Sequence, residues 1–428
     1  MGSAATDPCV HCGFCLPTCA SYRVFGTEMD SPRGRIHALK AIDAGELELD
    51  QQVAAHFDSC LGCLACVSAC PSGVRYDELI EATRPKLNVP ELRNPWQRGF
   101  RKLLFSLLPY PNRLRPLLSL LRSYSGSGVQ AWIRRHQLLR LLGPELDAMD
   151  RLLPELPGDS ATRPFPRIVA AQGPRRGRVG LVLGCVQRVF DPEVNQATVA
   201  VLSANGFEVV IPEQQGCCGA ATHHQGELEQ TKTLARELIH AFSSSEPVDA
   251  ILIAASGCGH TLKQYGQILA GEAIRSFDAP VKDVHEFLSE AGLAPTFQER
   301  LTPLSHADGS LATAERPLAV AFHDACHMIH GQGIKAQPRQ LLEAIPHLTL
   351  KEALDAGVCC GSAGIYNLVQ PEAAAELGRM KVTDLEQTGA SLAASSNIGC
   401  TLQLRRHANQ IEVLHPMQLL SRSFRANP

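Results

Sequence analysis

Long apolar runs are missing from this sequence. No uninterrupted stretch approaches the roughly 18–20 residues needed to cross a bilayer, so no membrane-spanning helix is expected. The first residues, MGSAATDP, hold neither a basic start nor an apolar stretch, so no secretory leader is expected. Charge is scarce, at 19% of residues with a net charge of −3; a nucleic-acid partner is not expected for the chain as a whole. A dinucleotide fingerprint at a strand-to-helix turn is also lacking. The one G-x-G-x-x-A match, Gly331, Gly333 and Ala336, falls in an expected helical stretch after Cys326, so no flavin or nicotinamide is expected here. These absences point to the cytoplasm, free or peripheral at the inner face of the membrane, with cysteines reduced or metal-bound.

Cysteine is what the chain has in quantity, 16 in 428 residues. Eight fall in two runs of the form C-x-x-C-x-x-C-x-x-x-C: Cys9, Cys12, Cys15 and Cys19, then Cys60, Cys63, Cys66 and Cys70, followed by Pro71. This is the spacing of bacterial two-cluster ferredoxins, in which the fourth cysteine of each run ligates the other cluster. On that rule one [4Fe–4S] cluster takes Cys9, Cys12, Cys15 and Cys70, and the other takes Cys60, Cys63, Cys66 and Cys19. Structural zinc gives no reason for the three-plus-one spacing, and disulfides need an oxidising compartment. Only the second run has the Cys-Pro ending; Cys19 is followed by Ala20. Between the runs, SPRGRI (Ser31 to Ile36) opens a helix expected around Ile36 to Ala44, with Arg33 and Arg35 either facing the clusters or belonging to a solvated helix start.

Residues 93–140 hold ten Arg or Lys and no Asp or Glu. Trp96, Phe100, Leu104, Phe105, Leu117, Leu118 and Trp132 interleave with them, and Pro109, Pro111 and Pro116 are expected to break the stretch into short helices. Such a stretch suits an anionic membrane surface, a partner subunit, or packing over the cluster module; all three readings are open. Residues 145–176 read as a linker.

A repeating α/β pattern follows. Strands are expected at Val179–Leu183, Phe207–Ile211, Ala250–Ala255, Leu318–Phe322 and Leu392–Ser395, among about eight strands in mainly parallel sheets. Cys217 and Cys359, Cys218 and Cys360, and Cys258 and Cys400 are each 142 residues apart, and Cys185 and Cys326 are 141 apart. Four cysteines at one pitch mark a tandem duplication. Each half brings its four to strand ends, where ligand sites form in open α/β sheets. They suit an iron–sulfur cluster or zinc, with buried free cysteine as the plain alternative. Gly219 and Gly361 let the backbone approach closely. His11, His260, His323 and His327 lie beside cysteines, either as second-sphere or metal-binding groups or as ordinary loop and core histidines.

The pairing of two ferredoxin runs with two such repeats resembles the iron–sulfur subunit of glycolate dehydrogenase (glycolate oxidase), within the wider cysteine-rich CCG-domain family. CVHCGFCLPTC, SPRGRI, LGCVQRVFDPEVNQATVAVL, GCCGA and SSNIGC carry the resemblance over nearly the whole chain. It implies an α+β multidomain protein: a helical two-cluster ferredoxin-like module (1–88), a basic helical segment and linker (89–176), and CCG repeats at 177–302 and 316–428. It further implies an electron-transfer subunit with no catalytic residue of its own. A partner flavoprotein would oxidise glycolate or D-lactate, and electrons would pass through [4Fe–4S] clusters toward a quinone-type acceptor. In relatives of the heterodisulfide-reductase type each CCG motif ends in C-x-x-C. Here Ala255 and Asn397 occupy the first position of that ending. A thiol–disulfide enzyme and a zinc scaffold are the alternative functions.

Overall fold

The computed structural model describes residues 8–424, apart from 155, 157, 159–162 and 275. The N-terminal module is built from helices Ala20–Phe25, Pro32–Asp43, Gln51–Asp58, Ala65–Ser68 and Tyr76–Leu87, with no strand among the described residues. Ser31 starts the second helix: its Oγ accepts the Gly34 N–H at 2.9 Å, and Pro32 fills the first helical position. Ile36 and Leu39 on that helix pack with Val53, Phe57, Leu79 and Ile80 in one small core.

The basic segment forms helices Pro95–Leu107, Pro111–Gly126, Val129–Arg135, Leu138–Leu142 and Pro144–Leu152. Pro109 and Pro111 do separate helices. Pro116 does not: it lies inside Pro111–Gly126, where it removes one backbone bond without ending the helix. The last helix occupies part of the expected linker. It is held by buried Asp150, which receives hydrogen bonds from Tyr124 Oη (2.9 Å), Gln130 Nε2 (2.9 Å) and Arg134 Nε (2.5 Å). Phe100, Leu104 and Phe105 pack against Ile365, and Leu114 and Leu118 against Val189. Arg101 is buried, near Asp58 (3.7 Å), so it serves docking rather than the charged surface. Trp96, Leu103, Leu120, Trp132 and Leu141 remain exposed. No helix among the described residues is long and apolar enough to cross a membrane.

The rest is two mainly parallel sheets. The first contains β1 (Ile168–Val169), β2 (Gly177–Val182), β3 (Phe207–Val210), β4 (Ala250–Ile253) and β5 (Val281–Asp283), in the order β1-β3-β2-β4-β5. Only β1 runs antiparallel. The second contains β6 (Leu318–His323), β7 (Leu348–Glu352), β8 (Leu392–Ser395) and β9 (Glu412–Leu414), in the order β7-β6-β8-β9 and all parallel. Leaving β1 aside, the two orders are the same, as a duplication requires. Fully apolar strands such as Ala250–Ile253 are buried throughout because helices cover both faces of a parallel sheet.

The repeats face each other about a pseudo-twofold axis. Helix Pro192–Ala204 packs on Pro416–Ser423, and Val284–Ala291 on Ala336–Glu343. One core runs through both halves, with Leu181, Leu202, Val320, Phe322, Leu342 and Met417 in it. The ends of β4 and β8 also meet: the Ser256 N–H donates to Ser396 O at 3.0 Å and the Gly257 N–H to Asn397 Oδ1 at 3.1 Å. Gly331 and Gly333 lie in the turn between helices Cys326–Ile329 and Ala336–Glu343, not inside a helix and not after a strand.

Candidate metal centres

The two ferredoxin loops share one backbone shape. In each run the residues on either side of the second cysteine are left-handed: His11 (φ 55°) and Gly13 (φ 85°) around Cys12, Gly62 (φ 59°) and Leu64 (φ 65°) around Cys63. Histidine and leucine rarely adopt this region. Left-handed residues at matching positions are the backbone shape of an anion-binding nest. The amides already address sulfur: the Gly62 N–H donates to Cys60 Sγ at 3.4 Å.

The fourth cysteines cross over. One pocket is lined by Cys9, Cys12, Cys15 and Cys70 together with Cys66. Cys19, from the first run, lies instead with Cys60, Cys63 and Cys66. The first group opens to solvent at Cys12, between exposed Val10 and Phe14; Cys19, Cys60 and Cys66 of the second are buried.

Burial pushes the Cys15 thiol up to about 11 and Cys63 and Cys66 well above their usual range, with neighbouring cysteines adding to it. Cys60 goes the other way. Burial opposes its ionisation, yet the Arg35 and Arg84 guanidiniums outweigh it and hold its pKa below the usual value. Arg35 is fully buried; it donates from Nε to His56 O (2.6 Å) and from Nη2 to Ser59 Oγ (2.7 Å) and Ser21 Oγ (3.1 Å). Arg33 lies at the other site, where its Nη1 donates to His11 O at 3.1 Å. Soft thiolates beside fixed cations suit iron–sulfur clusters, whose binding would also drive the thiols' deprotonation.

In each repeat the first cysteine follows the central strand (β2 or β6), the vicinal pair follows its neighbour (β3 or β7), and the fourth opens the helix after β4 or β8. This is the point where the chain reverses its direction of winding, the usual ligand position of such sheets. The cysteines meet there: Cys185 Sγ is 3.2 Å from Cys217 Sγ, and Cys218 touches Cys258. Likewise Cys326 touches Cys359, and Cys360 touches Cys400. Gly219 (φ 77°) and Gly361 (φ 88°) close each loop onto the following helix. A Cβ on Gly361 would stand 2.7 Å from Ala374 O, so only glycine fits.

The chain matches three family models: 4Fe-4S dicluster domain over residues 5–74, glycolate oxidase iron-sulfur subunit linker region over 96–153, and cysteine-rich domain over 179–263 and 320–405. It is 36% identical over 404 residues to a probable glycolate oxidase iron-sulfur subunit of Bacillus subtilis, covering 93% of this chain and 88% of that one. The chain belongs to the glycolate oxidase iron–sulfur subunit family. The Escherichia coli glycolate oxidase iron-sulfur subunit is 31% identical over 424 residues, 97% of this chain and 93% of that one. Lactate utilization protein A of an Exiguobacterium species is 27% identical over 247 residues, 57% of this chain and 96% of that one.

In this member of the glycolate oxidase iron–sulfur subunit family the ferredoxin module sits against both repeats. Arg84 bridges them, donating from Nη2 to Cys60 O (2.9 Å) while its Nη1 lies 2.8 Å from His224 Nδ1. His327 Nε2 lies 3.0 Å from Gly62 O and 3.1 Å from His224 Nε2. His260 packs on the His327 ring. These histidines therefore fasten the modules together, and His11 packs edge-on against His37. The contact puts Cys63 of the ferredoxin loop in one apolar cluster with Cys326 and Cys359 of the second repeat. No spacing rule shows this neighbourhood, because it joins positions more than 250 residues apart. His323 is the exception among the histidines: it lies within 4.8 Å of Cys360 and Cys400.

Proposed function

We propose that this chain is the electron-transfer subunit of a flavin-dependent 2-hydroxy-acid dehydrogenase acting on glycolate or D-lactate. The flavin would reside on a partner flavoprotein, with a quinone-type acceptor beyond the complex. One observation carries the reading: the cysteine sites form a contiguous series. Cys9, Cys12, Cys15 and Cys70 adjoin Cys60, Cys63, Cys66 and Cys19 through Cys66, and Cys63 adjoins Cys326 and Cys359. These two ferredoxin sets are the proposed ligands of two [4Fe–4S] clusters, which exchange one electron at a time when bound. The protein's own part is to hold and insulate the sites. Arg35 and Arg84 offset negative charge at the buried one, and the left-handed loops aim amides at the sulfurs. The exposed rim of Val10 and Phe14 around Cys12 is the proposed docking face for the flavoprotein.

The test is purification of the complex from its own cells, without oxygen. A flavoprotein should accompany the chain, and glycolate or D-lactate should bleach its flavin and reduce a dye. Cys63→Ser should leave flavin bleaching intact and abolish electron delivery to a quinone. Failure of any flavoprotein to accompany the chain, or quinone reduction unaffected by the substitution, would overturn the proposal.

A further inference from the structure

The two repeats share a backbone but not an interior. Strand register aligns them residue by residue: Val182 pairs with Ile253 in the first sheet, and His323 pairs with Ser395 at the same place in the second. Around the first set of cysteines the neighbours are apolar, with Val182, Ile239, Ile253 and Phe242 in one cluster with Cys185, Cys217 and Cys218. The corresponding residues of the second repeat are His323, Lys381, Ser395 and Asp384, all buried. Polar groups at these depths cost stability unless they are partnered. Lys381 is partnered, by Asp355 O and by Asp384 at 3.7 Å. His323 is not: it is 1% exposed, and neither ring nitrogen has a hydrogen-bond partner among the described residues. A buried imidazole with both nitrogens free, its nitrogen near two thiols, is arranged as a metal ligand rather than a packing residue.

We propose that His323 is a nitrogen ligand of an iron–sulfur centre in the second repeat, with Cys360 and Cys400 as thiolate ligands beside it and Cys326 and Cys359 completing the donor set. The inference rests on the electron-transfer reading, since it is the adjacency of Cys63 to Cys326 and Cys359 that favours a redox-active occupant over zinc, which has no redox chemistry. Asn397 Nδ2 lies 3.4 Å from Cys400 Sγ. His323 reaches the same pair of thiols from the end of β6. Lys381, beside Cys359 and Cys360, offsets thiolate charge where the first repeat has Ile239.

The experiment uses the full chain, purified without oxygen, with His323→Val, the residue of the first repeat, and His323→Cys. Iron, zinc and sulfide are counted, and pulsed EPR and a redox titration are run on each. The wild type should hold about four iron atoms beyond the ~8 of two [4Fe–4S] clusters, with a third signal coupled to nitrogen. His323→Val should lose that coupling, or the third signal altogether, while the ferredoxin signals stay intact and report a folded chain. His323→Cys should keep the iron and shift the third centre to lower potential, because thiolate replaces imidazole. Zinc in the second repeat, a wild type with only ~8 iron, or a third signal unchanged in both variants would overturn the inference. A wild type lacking the ~8 ferredoxin iron would instead overturn the electron-transfer reading itself.

Discussion

At the scale of single residues, Arg35 shows how the buried ferredoxin site is prepared. Its guanidinium touches His56 O, Ser59 and Ser21, lies 3.7 Å from Asp30, and pulls the Cys60 thiol toward ionisation. Arg35→Met removes the charge and keeps most of the volume. It leaves the buried acceptors His56 O, Ser59 Oγ and Ser21 Oγ without their shared donor, so the chain should lose about 1–3 kcal/mol of stability. The same variant should hold less iron at the Cys60 site; unfolding midpoints and iron content equal to wild type would contradict this role. Arg35 was legible as a candidate from SPRGRI, but its depth was not. Sequence shows a basic residue near a helix start and does not show that the helix turns it inward. His323 is the opposite case. A histidine beside a cysteine is unremarkable until the repeats are aligned at their own pitch and Val182 is found in its place.

At the scale of elements, helix Pro416–Ser423 shows how the pseudo-twofold seam responds to acid. His415 begins it, and its Nδ1 accepts the Met417 N–H at 3.1 Å, which requires an unprotonated nitrogen. Burial, then the adjacent His285, holds His415 well below the usual imidazole range. Unfolded chains take up a proton on this residue below about pH 6.5 and the native chain does not. Its contribution is therefore complete above that pH and is lost as pH falls toward the native value. Between pH 7.5 and 5.5 the loss from this one residue should reach about 1.4 kcal/mol. His415→Asn keeps a cap acceptor and removes the titration, so thermal unfolding across that range should depend less on pH than in wild type. An identical pH dependence would remove His415 from the account. The strands themselves were readable from apolar runs, and the duplication from cysteine spacing. The strands β1, β5, β7 and β9 were not located: they are the edges of the two sheets and only partly buried, so no continuous apolar run marks them. The helix Pro144–Leu152 was hidden in a Pro-, Gly- and charge-rich stretch because Asp150 holds it through contacts with distant residues.

At the scale of the whole molecule, the arrangement places one cysteine site at the surface and two more behind it. Phe14→Glu adds charge to the apolar rim beside Cys12 and leaves the buried sites untouched. It should weaken electron delivery from the flavoprotein tenfold or more without changing iron content; unaltered delivery would move the docking face elsewhere. The direct test of the central claim, that this is an iron–sulfur relay rather than a zinc or thiol protein, is iron, zinc and acid-labile sulfide per chain after purification without oxygen, with EPR before and after dithionite. The account predicts at least ~8 iron with matching sulfide, and a reduced spectrum showing two interacting clusters. Zinc in place of iron, or iron without interacting reduced signals, would contradict it.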